Sequence, residues 1–145
     1  MNQFSKPDVG AKTALAEMLI NGGLLNSLPI GVYCCEPDGT ICNFNLRAAA
    51  LWGRMPRIGD TDQRFCGAHK LFLPDGSPLP HEKTPMAEAL RSGKAARDQR
   101  VTIERPDGSR VNVLVNIDPL YDKDGVLVGA VNCFQDISDL KVAGP

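Results

Sequence analysis

From Val111 to Asp118 apolar and polar residues alternate: Val111, Val113, Val115 and Ile117 stand against Asn112, Asn116 and Asp118, with Leu114 the one intruder. A period of two is the pattern of a β-strand with one buried and one wet face. The C-terminal part of the chain must therefore build a sheet that something covers on one side. Val101 to Glu104 alternates in the same way, and Pro106-Asp107-Gly108 turns the chain between the two runs. Proline presets φ in such a turn and glycine supplies the positive φ. A further turn, Asp122 to Gly125, leads into Val126 to Phe134. This run is apolar at nearly every position, as expected of a central strand or one covered on both faces.

The first half supplies the cover. Ala11, Ala14, Leu15, Met18 and Leu19 form one apolar stripe at helical spacing, with Asp8 placed to cap and Gly22-Gly23 to end the helix. Ile30 to Glu36 and Ile41 to Phe44 read as a hairpin joined at Pro37-Asp38-Gly39-Thr40. Asn45 caps a short helix, Leu46 to Trp52, which Gly53 stops. Residues 56 to 80 are irregular and rich in Gly, Pro and Asp. A structureless loop of that length does not suit a compact domain, so short helical turns and a small hairpin at Pro74 to Gly76 are expected there. Thr84 caps the next helix and Pro85 occupies its first turn, where a missing N–H costs nothing. Met86, Ala87, Ala89 and Leu90 give that helix an apolar side, and Gly93 ends it. Helices grouped between two sets of strands indicate an α+β fold with an antiparallel sheet.

Composition excludes several classes. A chain of 145 residues with net charge −1 offers no general attraction for nucleic acid. Its apolar runs are far too short to span a membrane, and Met1 to Gly10 lacks the pattern of a signal peptide, so a cytoplasmic location is expected. The five cysteines, Cys34, Cys35, Cys42, Cys66 and Cys133, show no C-x-x-C spacing and read mostly as small buried hydrophobes. Cys66 is the exception, because its polar, turn-rich surroundings suggest that it is accessible. No nucleophile elbow, phosphate-binding loop or H-E-x-x-H motif occurs, so no catalytic residue is assigned and enzymatic activity is not expected. The Arg91, Lys94, Arg97 and Arg100 cluster reads as a solvated face.

Four stretches, taken in order, resemble the PAS domain family. They are Leu25 to Tyr33; Asp38-Gly39 with Ile41 and Asn45 to Gly53; Leu73 to Pro80 with Pro85 and Ala89-Leu90; and Asp107-Gly108, Pro119-Leu120, Asp124-Gly125, Val128-Gly129 and Asp136-Ile137-Ser138. The third resembles a bacterial subset with an extended middle. The resemblance covers residues 24–140, leaving 1–23 as a flanking helix and 141–145 as a tail. It implies a five-stranded antiparallel sheet with short helices over one face, and a bacterial-type sensory role. The space between helices and sheet would hold a small ligand, and the signal would leave through the flanking helices to an effector such as a histidine kinase of a two-component system. Asp136, Ile137 and Ser138 lie where the family passes its signal outward. Only seven residues follow, so no effector is expected in this chain.

The inward candidates for a ligand cavity are Trp52, Met86, Leu90, Val111, Val113, Val115, Ile117 and Phe134, which would suit a small apolar or aromatic compound. The alternative is a filled core serving dimerisation or partner docking, and the Ala11 to Leu19 stripe is the expected homodimer helix. A flavin photosensor is not expected. The reactive-cysteine motif of the light-sensing subfamily is scrambled at Arg64-Phe65-Cys66-Gly67, and its flavin-holding amides fall on Val113 and Phe134, with Gln135 one residue out of phase. A haem gas or redox sensor is a lower alternative, with His69 and His81 the only histidines and Met86 or Cys66 as second ligands. No other metal is expected.

Overall fold

The computed structural model describes residues 26–58 and 64–138. Six strands, β1 (Gly31–Cys35), β2 (Ile41–Phe44), β3 (Lys70–Phe72), β4 (Ala96–Glu104), β5 (Arg110–Tyr121) and β6 (Leu127–Asp136), are joined by helices α1 (Leu46–Trp52) and α2 (Pro85–Ser92) and a 3-10 turn, His81–Lys83. The strands form one sheet in the order β2-β1-β6-β5-β4-β3, with every neighbouring pair antiparallel. The apolar run at the C-terminus is thus a central strand: β6 pairs with both β1 and β5.

Alternation decides which face is buried. Val111, Val113, Val115 and Ile117 point into the core with Tyr33, Cys35, Val101, Ile103, Ala130 and Phe134, and α1 and α2 pack on that face. On the opposite face Val32 and Cys34 form a smaller cluster with Ile30, Cys42 and Val131. Adjacent cysteines Cys34 and Cys35 therefore serve opposite faces, as the strand period requires.

Both helices begin and end where local chemistry dictates. The Asn45 side chain accepts from Ala48 N–H at 2.9 Å, and Gly53 closes α1 in the left-handed region at φ 74°. The Asn45 amide does more than cap. It also accepts from Val32 N–H at 2.9 Å and donates to Ile30 O at 3.1 Å, tying α1 to the first hairpin from a buried position. Thr84 caps α2 and Pro85 fills its first turn; Met86, Ala87, Ala89 and Leu90 are its buried residues.

Three expectations need correction. The sheet has six strands rather than five, because the hairpin in the middle segment donates an edge strand: β3 pairs with β4, and Phe72 bridges Pro78 across the turn. Strand β4 starts at Ala96, well before Val101, with an irregularity between Ala96 and Gln99 and Asp98 at φ 51°. Residues 97–100 are exposed, so they show no apolar alternation to read. Finally, Cys34 and Cys42 are joined as a disulfide across the β1–β2 hairpin, with Cα atoms 5.7 Å apart. Neighbouring strands bring the two side chains together on one face, which sequence spacing alone does not reveal. The flanking segment 1–23, with its Ala11 to Leu19 stripe, and the tail 141–145 lie outside the described residues.

Candidate functional site

The site is built on one cross-strand row. Tyr33 of β1 is directly opposite Asn132 of β6, which is directly opposite Ile117 of β5. All three point to the helix-covered face and are buried. The Tyr33 hydroxyl donates to the Phe65 carbonyl at 2.6 Å. Phe65 sits in the segment leading to β3 with φ 71°, so this bond fastens a strained part of the loop over the sheet.

Trp52, the last residue of α1, is fully buried against this row. Its ring meets Tyr33 edge-on with centroids 5.1 Å apart and stacks near Phe134 at 5.7 Å, with 22° between the planes. Such contacts add to plain area burial. Gly67 makes room for the indole: a Cβ there would lie 2.5 Å from Trp52 Cε3 and Cζ3. The loop before β3 must therefore carry glycine where it crosses the ring.

Between these residues and α2 lies a small cavity of about 30 Å³. That is room for roughly two waters. Its walls are Tyr33, Trp52, Cys66, Leu71, Thr84, Pro85, Met86, Val101, Ile103, Val113, Val115, Ile117, Asn132 and Phe134. Six of the eight expected cavity residues line it, namely Trp52, Met86, Val113, Val115, Ile117 and Phe134. Leu90 and Val111 are buried in the same core but away from the cavity. Tyr33 and Asn132 were not anticipated. Asn132 has the same parity as Phe134 along β6, which is the signal that places it inside.

The polar groups here are held neutral. Burial raises the Tyr33 hydroxyl well above its ordinary pKa, with Cys66 and Cys35 adding to the effect. Burial also pushes the Cys66 thiol up to about 11 and raises Cys35 well above the usual thiol value. The Trp52 indole is close enough to Cys66 to favour its thiolate, yet Trp52 Nε1 makes no hydrogen bond of normal geometry among the described residues, and neither does Asn132 Oδ1. With no charged side chain in its wall, the cavity suits a neutral guest.

Cys66 is buried at 8% exposure, which corrects the expectation that it is accessible. It follows Phe65 inward beneath the loop. Cys133 is the exposed free thiol among the described residues. His69 is exposed and His81 half-buried; His81 Nε2 donates to the Ala68 carbonyl at 2.8 Å, and neither histidine lines the cavity. No group of three or more His, Cys, Asp or Glu side chains able to hold a metal occurs among the described residues. Val113 and Phe134 present apolar walls to the cavity, and Gln135 is exposed. Of the basic cluster, Arg91 pairs with Glu88 and Arg97 with Asp118, each pair more than half exposed. Lys94 and Arg100 border an open groove between α2 and β4.

At the end of β6, Asp136 pairs with Val113, and its carboxylate accepts from Ser138 N–H at 2.7 Å. Ile137 N–H donates to Asn112 O at 2.9 Å. Strand β6 thus ends at Asp136, two residues beyond the cavity wall at Phe134. No described helix is long and apolar enough to cross a membrane.

A family model described as a PAS domain matches residues 29–139, and the chain belongs to that family. Solved structures share the fold at low identity. An RNA-binding light-oxygen-voltage receptor is 20% identical with a TM-score of 0.62, covering 88% of this chain and 35% of that one. The chain therefore spans about a third of that receptor. The PAS domain of a protein from Colwellia psychrerythraea is 16% identical with a TM-score of 0.58, covering 88% and 97%. The PAS domain of nitrogen regulation protein NR(II) from Vibrio parahaemolyticus is 14% identical with a TM-score of 0.54, covering 85% and 97%. No curated protein sequence matches.

Proposed function

We propose that this chain is a sensory PAS module that binds a small ligand in the cavity under α2 and passes the change outward through β6. The observation that carries this reading is the pair of unpaired polar atoms, Trp52 Nε1 and Asn132 Oδ1, in a cavity whose other walls are nearly all apolar. Buried polar groups are normally paired, and an exception marks a place where a water or a small ligand can bind. Asn132 and Phe134 touch the cavity from β6, and Asp136 to Ser138 end the same strand. A guest that moves these side chains therefore moves the point where the chain leaves the sheet. The receiver would be a downstream effector such as a histidine kinase, in the cytoplasm. The likeness to light-oxygen-voltage and nitrogen-regulation proteins agrees with a sensory role. No enzymatic role, nucleic-acid contact, haem or flavin enters this proposal.

The small size of the cavity favours a second reading, in which the core is simply filled and the module serves homodimerisation or partner docking. Native mass spectrometry of the purified chain separates the two. Extra mass on the folded chain supports the sensor. A bare chain, whose melting temperature no small-molecule fraction of the host extract raises, contradicts it.

A further inference from the structure

Two buried polar atoms at the cavity, Trp52 Nε1 and Asn132 Oδ1, make no hydrogen bond of normal geometry among the described residues, although the Cys66 thiol lies near the indole. Trp52 is 0% exposed and Asn132 is 4% exposed, and both line one cavity. An indole N–H only donates, and an amide oxygen only accepts. Tyr33 donates its proton to the Phe65 carbonyl, and Asn132 is its cross-strand neighbour, so an Asn132 N–H turned that way would meet an oxygen able to accept. Asn132 Oδ1 is without a hydrogen-bond partner among the described residues, which fits the NH₂ group taking the Tyr33 side. Thr84, the other hydroxyl of the wall, is already engaged: it donates to His81 O at 2.8 Å and accepts from Ala87 N–H at 3.3 Å.

The remaining wall limits shape and charge. Three aromatic rings, Tyr33, Trp52 and Phe134, lie within 6 Å of one another, centroid to centroid, which favours a flat guest. The present space suits about two waters, so a ring requires one wall to yield. Met86, unbranched and on the short helix α2, is the side chain able to do so.

We infer that the cavity selects a small, neutral, planar heterocycle with one hydrogen-bond acceptor, met by Trp52 Nε1–H, and one donor, met by Asn132 Oδ1. This rests on the ligand-binding reading above and deepens it. A ring lacking either group leaves a buried polar atom unpaired, which is where discrimination is strongest.

The test titrates the purified full chain with near-isosteric rings. Pyrazole and 2-pyridone carry a donor and an acceptor, pyrrole a donor, isoxazole an acceptor, and thiophene neither. Trp52 is the sole tryptophan, so its indole N–H resonance reports occupancy directly. The expected result is that pyrazole or 2-pyridone binds about tenfold or more tightly than each of the other three rings. The indole resonance should shift with acceptor-bearing rings and barely with pyrrole or thiophene. Asn132→Leu should abolish the advantage of pyrazole over isoxazole while the Trp52 shift persists. Because the panel needs no substitution, a variant that fails to fold leaves the comparison intact. Thiophene binding as well as pyrazole overturns this inference while leaving the sensor reading in place. Failure of every ring to bind overturns this inference as well, and the sensor reading falls with it only if native mass spectrometry finds a bare chain that no extract fraction stabilises.

Discussion

Tyr33 and Asn132 face each other across the β1–β6 ladder. The tyrosine holds the Phe65 loop at 2.6 Å through its hydroxyl. Asn132 lines the cavity beside it, with Oδ1 free of any hydrogen bond among the described residues. One row of the sheet thus supports the loop and lines the site.

Tyr33→Phe should therefore destabilise the chain even though it removes a single oxygen. It leaves the Phe65 carbonyl without the Tyr33 donor, at a cost of about 1–3 kcal/mol. Urea denaturation checks this, and unchanged stability would argue against the bond.

Gly67→Ala should push the Trp52 ring toward the cavity, because the added Cβ would come within 2.5 Å of two of its carbons. Overpacking of this kind costs roughly 1–3 kcal/mol. The fluorescence of the single tryptophan should change with it.

Asn45→Ala should cost more than an ordinary helix cap. Besides the cap, it removes contacts to Val32 and Ile30 from a buried site. A cap loss with an unsatisfied buried N–H suggests about 2–4 kcal/mol. Asn45→Asp should recover part of this, because its oxygen can still accept from Ala48 and Val32.

Cys66 gives a pH dependence of definite sign. Its folded pKa is raised from 9.0 to about 11, so the folded state holds the proton more tightly than the unfolded chain. The associated stability is complete below about pH 9 and is lost as pH rises toward 11. Tyr33 and Cys35 are raised as well and act in the same direction. Thermal melts from pH 8 to 11 should fall more steeply for the native chain than for Cys66→Ala. At neutral pH, a thiol reagent should modify Cys133 before Cys66.

Much of this molecule is legible in its sequence where one physical signal dominates. The Val111 to Ile117 alternation, the Asn45 and Thr84 caps, and the glycines after Trp52 and Ser92 place elements that the structure bears out. Ala96 to Arg100 is not legible, because a polar edge segment has no buried face to impose a pattern. Cys66 is buried next to Phe65, whose carbonyl is held by Tyr33, a contact between residues 32 apart that local sequence does not reveal. Tyr33 and Asn132 sit among apolar neighbours and read as part of the core. Their role emerges only when the register sets them opposite each other and their hydrogen bonds are followed.

The most direct test of a ligand-binding cavity is a crystal structure of the purified chain, read at Trp52 Nε1 and Asn132 Oδ1. The account predicts density for a small molecule within hydrogen-bond reach of both atoms, with Met86 moved aside. Water alone, or a closed cavity in which both atoms bond to protein groups, would contradict it.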